Sequence, residues 1–235
     1  MEKIIHRAES RGQTNLDWLV SRHSFSFAGY YCPERIKFGT LRVLNDDRVM
    51  PGMGFGTHPH ENMEIISIPL KGSLEHKDSM GNTSVIRTGE VQVMSAGSGI
   101  LHSEYNASRE EEVHFLQIWI LPNQMDVAPR YQQMDFLQEE KNGVFHCLVG
   151  PWGNGEVLEI HQDVYISRGD FQGGTSVEYT LNKAGNGVYF FLIKGRIEID
   201  GTILDEKDGI GIRLEDRIPV SVLDESQILV LEVGD

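Results

Sequence analysis

The chain has 235 residues, 40% hydrophobic and 24% charged, a balance that suits one large or two ordinary globular domains around a buried core. Thirty-five acidic residues against 21 basic ones leave a formal charge of −14, a surface that repels phosphate backbones and anionic lipid and so weighs against direct nucleic-acid binding. No stretch approaches the roughly 20 apolar residues of a membrane helix, and Met1-Glu2-Lys3-Ile4-Ile5-His6-Arg7 contains no signal-peptide core, so a cytoplasmic location without membrane association is expected.

Along the chain, 25 glycines punctuate short apolar runs. From Met63 the pattern is Met63-Glu64-Ile65-Ile66-Ser67-Ile68-Pro69-Leu70, then Lys71-Gly72, then Leu74 and His76 alternating with polar neighbours. Ser79-Met80-Gly81-Asn82 turns, Val85-Ile86 follows, Thr88-Gly89 turns again, and Val91 and Val93 alternate. Short strands separated by glycine turns indicate an all-β sandwich or barrel. The best helical candidate is Arg130 to Glu140, just after Pro129. Cys32 and Cys147 form no C-x-x-C pair and cannot make a disulfide framework.

An internal echo runs through this pattern. The apolar-Lys-Gly-x-apolar-Glu segment at Lys71-Gly72 recurs at Lys194-Gly195, 123 residues later, and Gly89-Glu90-Val91-Gln92-Val93 resembles Gly209-Ile210-Gly211-Ile212 at an offset of 120. Asp200-Gly201 adds a hairpin signal to the second copy. A repeat of this size predicts two copies of one β-domain in tandem, residues 1–140 and 141–235, with the join near Lys141-Asn142-Gly143.

The sharpest local signal is Gly54-Phe55-Gly56-Thr57-His58-Pro59-His60. Residues two apart in a strand share a face, so both imidazoles can project into a barrel; Pro59 between them requires a strand start, edge or bulge. The same spacing recurs in Ile100-Leu101-His102-Ser103-Glu104. Two such pairs on neighbouring strands put three imidazoles and a carboxylate around one point, a donor set for a divalent transition ion. Strand parity alone equally allows Glu64, which shares its facing with His60.

These segments resemble a known family. Gly52, His58, His60, Glu64 and Gly72 are spaced like the first cupin motif. Thr57-His58-Pro59-His60, Glu75-His76-Lys77-Asp78-Ser79-Met80-Gly81-Asn82, Ser95-Ala96-Gly97-Ser98-Gly99-Ile100-Leu101-His102-Ser103-Glu104 and Ser21-Arg22-His23-Ser24-Phe25-Ser26-Phe27 together resemble the pirin family, especially its bacterial branch with quercetin 2,3-dioxygenase activity. The resemblance implies a bicupin, with His58, His60, His102 and Glu104 as metal ligands and Glu64 as a supporting carboxylate. It implies Fe(II) as the first choice of ion, with Cu, Zn, Mn, Co or Ni also compatible. It further implies a flavonol such as quercetin and O₂ as substrates, with Glu104 as proton acceptor. The alternative is a redox-sensing role, in which the metal tunes affinity for a protein partner without turnover.

Carrying the offsets across, His58 and His60 fall on Leu181 and Lys183, and His102 and Glu104 near Val222 and Asp224; no histidine follows His161. The second domain is therefore expected to hold no metal and to pack against the first. Of the other histidines, His76 is a candidate for pocket contact, while His23 and His114 are expected to be hydrogen-bonded packing residues. His6, His146 and His161 carry no functional signal. The glycine pairs at Gly97 and Gly209 lack a following helix, which excludes a dinucleotide or phosphate loop.

Overall fold

A computed structural model describes residues 2–136, 143–153 and 155–235. Among them are 22 strands and a single 3-10 turn at Ala8–Ser10. The first half contains β1 (Glu2–His6), β2 (Gly12–Asn15), β3 (Leu19–His23), β4 (Leu41–Val49), β5 (Gly54–His60), β6 (Glu64–Lys71), β7 (Ser73–Asp78), β8 (Thr83–Arg87), β9 (Glu90–Ser95), β10 (Ile100–Asn106), β11 (Val113–Ile120) and β12 (Arg130–Asp135). The second contains β13 (His146–Pro151), β14 (Leu158–Ile160), β15 (Tyr165–Phe171), β16 (Thr175–Thr180), β17 (Gly187–Lys194), β18 (Arg196–Ile199), β19 (Thr202–Asp205), β20 (Gly209–Arg213), β21 (Arg217–Val222) and β22 (Ser226–Val233).

Each half builds a barrel from a seven-stranded and a four-stranded sheet. The first has β12-β9-β6-β11-β4-β3-β2 facing β5-β10-β7-β8; the second has β1-β20-β17-β22-β15-β13-β14 and β16-β21-β18-β19. The sequence echo maps onto this architecture, β6, β7 and β9 corresponding to β17, β18 and β20. One strand crosses over: β1 pairs with β20, taking in the second barrel's sheet the position that β12 takes in the first. Arg7 and the Ala8 amide then bind Asp208 at 2.6 and 2.7 Å, fixing the N-terminus to the second barrel.

The central strands are apolar on both faces because both faces are buried. On β17 and β22, Val188, Phe190, Leu192, Ile228 and Val230 fill the second barrel. Alternate residues Tyr189, Phe191, Ile193, Leu229 and Leu231 pack against Ile66, Ile68, Leu116 and Ile118 of the first. The second barrel thus covers the back of the first.

The segment expected as a helix, Arg130 to Glu140, is strand β12 over Arg130–Asp135, and its residues 137–140 lie outside the described residues. β9 offers it a free edge. Tyr131 and Gln133 turn towards β7 and β8, while Gln132 binds the Glu159 amide and Met134 packs on the inter-barrel core, a two-faced demand that only an extended strand meets. The expected join after residue 140 also lies outside the described residues. No helix among the described residues is long and apolar enough to cross a membrane.

Candidate metal centre

β5 is the edge strand of its sheet, which accommodates Pro59 between the two histidines. β10 lies beside it, with His102 directly opposite His58. The His58, His60 and His102 ring centroids lie 4.4–4.9 Å apart, and one nitrogen from each falls within 4.8 Å of the others. His58 Nδ1 donates to the Gly56 carbonyl at 2.7 Å, which fixes the tautomer and leaves Nε2 as a lone pair.

His102 is 1% exposed, yet neither ring nitrogen has a hydrogen-bond partner. Such buried orphans are rare and call for an occupant. Burial, and after it the neighbouring His58, lowers His60 to about 4; burial and the neighbouring His58, His60 and His76 lower His102 to about 2. Both rings are neutral near pH 7, the state in which imidazole binds metal. A divalent transition ion fits this donor set.

Glu104 follows a bulge that re-registers β10 against β5 after His102. Its carboxylate is not among the three donors within 4.8 Å of one another. Ser67 Oγ donates to Oε1 at 3.0 Å and Gln117 Nε2 to Oε2 at 2.7 Å. Burial pushes the group up to about 7, against the pull of those two donors. Glu64 points elsewhere. Asn62, at φ +50°, turns the chain between β5 and β6, so the parity shared with His60 does not survive the loop. Glu64 shares the face of Ile66 and Ile68 and accepts from Ser95 at 2.6 Å.

His76 is fully buried beside His102, its centroid 5.4 Å away, and binds Asp78 at 3.1 Å. His23 binds Asn45 and Thr14, each at 2.9 Å, and lines the cavity. His114 binds Asp46 at 2.5 Å, His6 binds the Tyr189 hydroxyl at 2.9 Å, and His161 stacks on Trp152.

A cavity of about 490 Å³ opens onto His58 and His60, with Glu104 and Gln117 also in its wall. Its apolar surfaces come from Trp18, Phe27, Phe55 and Trp119; Trp119 meets the His60 ring edge-on at 4.9 Å. These wall residues were not legible beforehand. Phe27 closes the serine- and phenylalanine-rich segment and Trp119 sits on an apolar strand, but Trp18 and Phe55 carry no local signal.

Among the described residues, the second barrel has no counterpart to this donor set. Aligned through Gly72 and Gly195, the strand registers place Tyr179, Leu181, Ile218 and Val220 where the first barrel has His58, His60, His102 and Glu104, shifting the offset-based estimate by two to four residues. His76, Ser67 and Gln117 likewise become Ile199, Phe190 and Val230. These side chains belong to or pack against one continuous apolar core. Apart from the Tyr179 hydroxyl, which donates to Glu232 at 3.0 Å, hydrocarbon replaces the polar groups.

Comparison with known proteins places this architecture. Residues 5–120 match the pirin family and residues 147–233 the quercetinase C-terminal cupin domain. A quercetin 2,3-dioxygenase of Escherichia coli K12 is 38% identical, the match covering 97% of this chain and 97% of the relative. A pirin-like protein of Caulobacter vibrioides is 36% identical over 95% of this chain and 96% of its own length. The crystal structure of a bacterial pirin from E. coli in complex with nickel(II) superposes with a TM-score of 0.93 at 37% identity, covering 99% of both chains. The chain is a bicupin of the pirin family.

Proposed function

We propose that this chain is a metal-dependent dioxygenase that cleaves flavonols such as quercetin with O₂ and releases carbon monoxide. The observation that carries the reading is the meeting of three imidazoles, two of them held neutral by burial, beside an aromatic-lined cavity whose wall includes His58 and His60. The names of its relatives agree with it. His58, His60 and His102 would hold the ion, with Glu104 as fourth ligand or as the base beside it. A redox-capable divalent ion there, Fe(II) first among the compatible ions, would acidify the substrate's 3-hydroxyl and supply the chemistry towards O₂.

The chain's own residues do the remainder. Trp18, Phe27, Phe55 and Trp119 receive the planar rings and exclude water. Glu104, raised to about 7, accepts the 3-hydroxyl proton. Oε1 is the receiving atom: its partner, the Ser67 hydroxyl, can rotate from donor to acceptor, whereas the Gln117 amide NH₂ facing Oε2 can only donate. Protein loaded separately with Fe(II), Cu, Mn, Co and Ni is expected to bleach quercetin with equimolar O₂ uptake and CO release for at least one metal. Failure with all of them would leave a metal-dependent protein-binding role as the better reading.

A further inference from the structure

Asp46 and Asp47 are adjacent acids with opposite fates. Asp46 turns to the side facing the second barrel, bound by His114 of β11, with Arg11 and the second barrel's Lys207 each 3.6 Å away. Asp47 turns inward, from the seven-stranded sheet into the cavity whose other wall carries His58 and His60. It is 2% exposed; the Ser21 hydroxyl serves one side of its carboxyl, and Oδ1 has no hydrogen-bond partner. The indole Nε1 of Trp119, in the same wall, is a buried donor that is also unpartnered. The cavity therefore offers one free acceptor and one free donor amid aromatic surface. An occupant complementary to both presents a hydroxyl to Asp47 and an oxygen to Trp119 from a planar ring system.

We propose that Asp47 is a specificity-determining residue that accepts a hydrogen bond from a phenolic hydroxyl of the substrate other than the 3-hydroxyl. The proposal rests on the flavonol reading above and adds to it: a flavonol stripped of its other hydroxyls leaves Oδ1 unanswered and binds less well.

Trp18 and Trp119 line the cavity, so quenching of intrinsic fluorescence reports occupancy without turnover. Quercetin and 3-hydroxyflavone, which lacks the other hydroxyls, are titrated into nickel-loaded wild-type, Asp47→Leu and Asp47→Asn proteins, each checked for folding by thermal melting. Wild type is expected to favour quercetin by about tenfold, the discrimination carried by one buried hydrogen bond. Asp47→Leu should abolish that preference by weakening quercetin alone. Asp47→Asn, whose amide oxygen still accepts, should retain most of it. Should Asp47→Leu not fold, Asp47→Ala serves the same comparison. A preference unchanged in Asp47→Leu or Asp47→Ala overturns the proposal and leaves Oδ1 to an ordered water; an equal loss on both ligands overturns it in favour of a structural role. In either case the flavonol reading stands, because wild type still binds. If wild type binds neither flavonol, both readings fall.

Discussion

His102 has two buried ring nitrogens with no protein partner, and His58 has one nitrogen committed to a carbonyl and the other free. Replacing His102 with alanine, or His58 with alanine, should remove nearly all bound metal by elemental analysis and abolish turnover while leaving a folded protein. A variant with normal metal content would dismantle the ligand assignment. Asp47 gives a prediction about pH. Burial pushes its folded carboxyl up to about 7, the Ser21 hydroxyl opposing this and the Asp46 and Glu104 charges adding to it. The unfolded value is near 3.9. The protonated group therefore contributes stability that is fully present below about pH 4 and lost as pH rises through 7. Asp47→Asn cannot ionise, so its melting temperature relative to wild type should climb between pH 4 and 8, by an amount on the order of several degrees; a difference independent of pH would refute the shift. At this scale the histidine pairs were readable because strand parity is a local rule. The facing of Glu64 was not, because it turns on the backbone of Asn62 in a loop whose sequence does not declare its geometry.

Among elements, β5 and β10 must lie close enough for His58 to face His102 across the pair. Gly54 makes that approach feasible at the bulged end: a Cβ there would lie 2.2 Å from the Glu104 carbonyl oxygen and 2.5 Å from the Tyr105 Cα, both backbone atoms that cannot step aside. Gly54→Ala should force the strands apart beside the bulge, destabilising the protein by about 1–3 kcal/mol and weakening metal affinity with it. Gly56 on the same strand is the control, since its added Cβ would find only the Tyr105 hydroxyl at 3.8 Å. Calorimetry with metal titration of both variants tests this; equal behaviour would mean that the close approach is not what sets the site. The strand pattern itself was largely legible, since Met63 to Val93 alternates between glycine turns. β12 differs from the helix expected there because its polar residues, Tyr131-Gln132-Gln133, have no strong period of their own, and the sheet edge that claims them is some 40 residues earlier in sequence.

For the whole molecule, the two barrels share structure in two ways that the repeat did not reveal. Equal copies suggest independent units, but the Lys71-Gly72 echo says nothing of which face each copy exposes. In the folded protein Ile66, Ile68, Leu116 and Ile118 are sealed by Tyr189, Phe191, Leu229 and Leu231, and β1 completes the second barrel's sheet from the opposite end of the chain. Separating the barrels would expose a contiguous apolar face on each and an unpaired edge on β20, both aggregation hazards. The metal-free protein should therefore unfold in one cooperative step, with calorimetric and van't Hoff enthalpies in agreement. Deleting residues 1–7 removes β1, the Arg7–Asp208 pair and the His6–Tyr189 hydrogen bond, and uncovers β20. Because these contacts are made by the second barrel, a locally stable first barrel would keep its own melting temperature. Coupling through the shared core predicts instead that the truncated protein still melts in one transition, at a lower temperature, and loses metal affinity although no ligand has been touched. Two resolved transitions, with metal shifting only the upper one, would show that the second barrel is a passenger and that the first holds its imidazoles in place unaided.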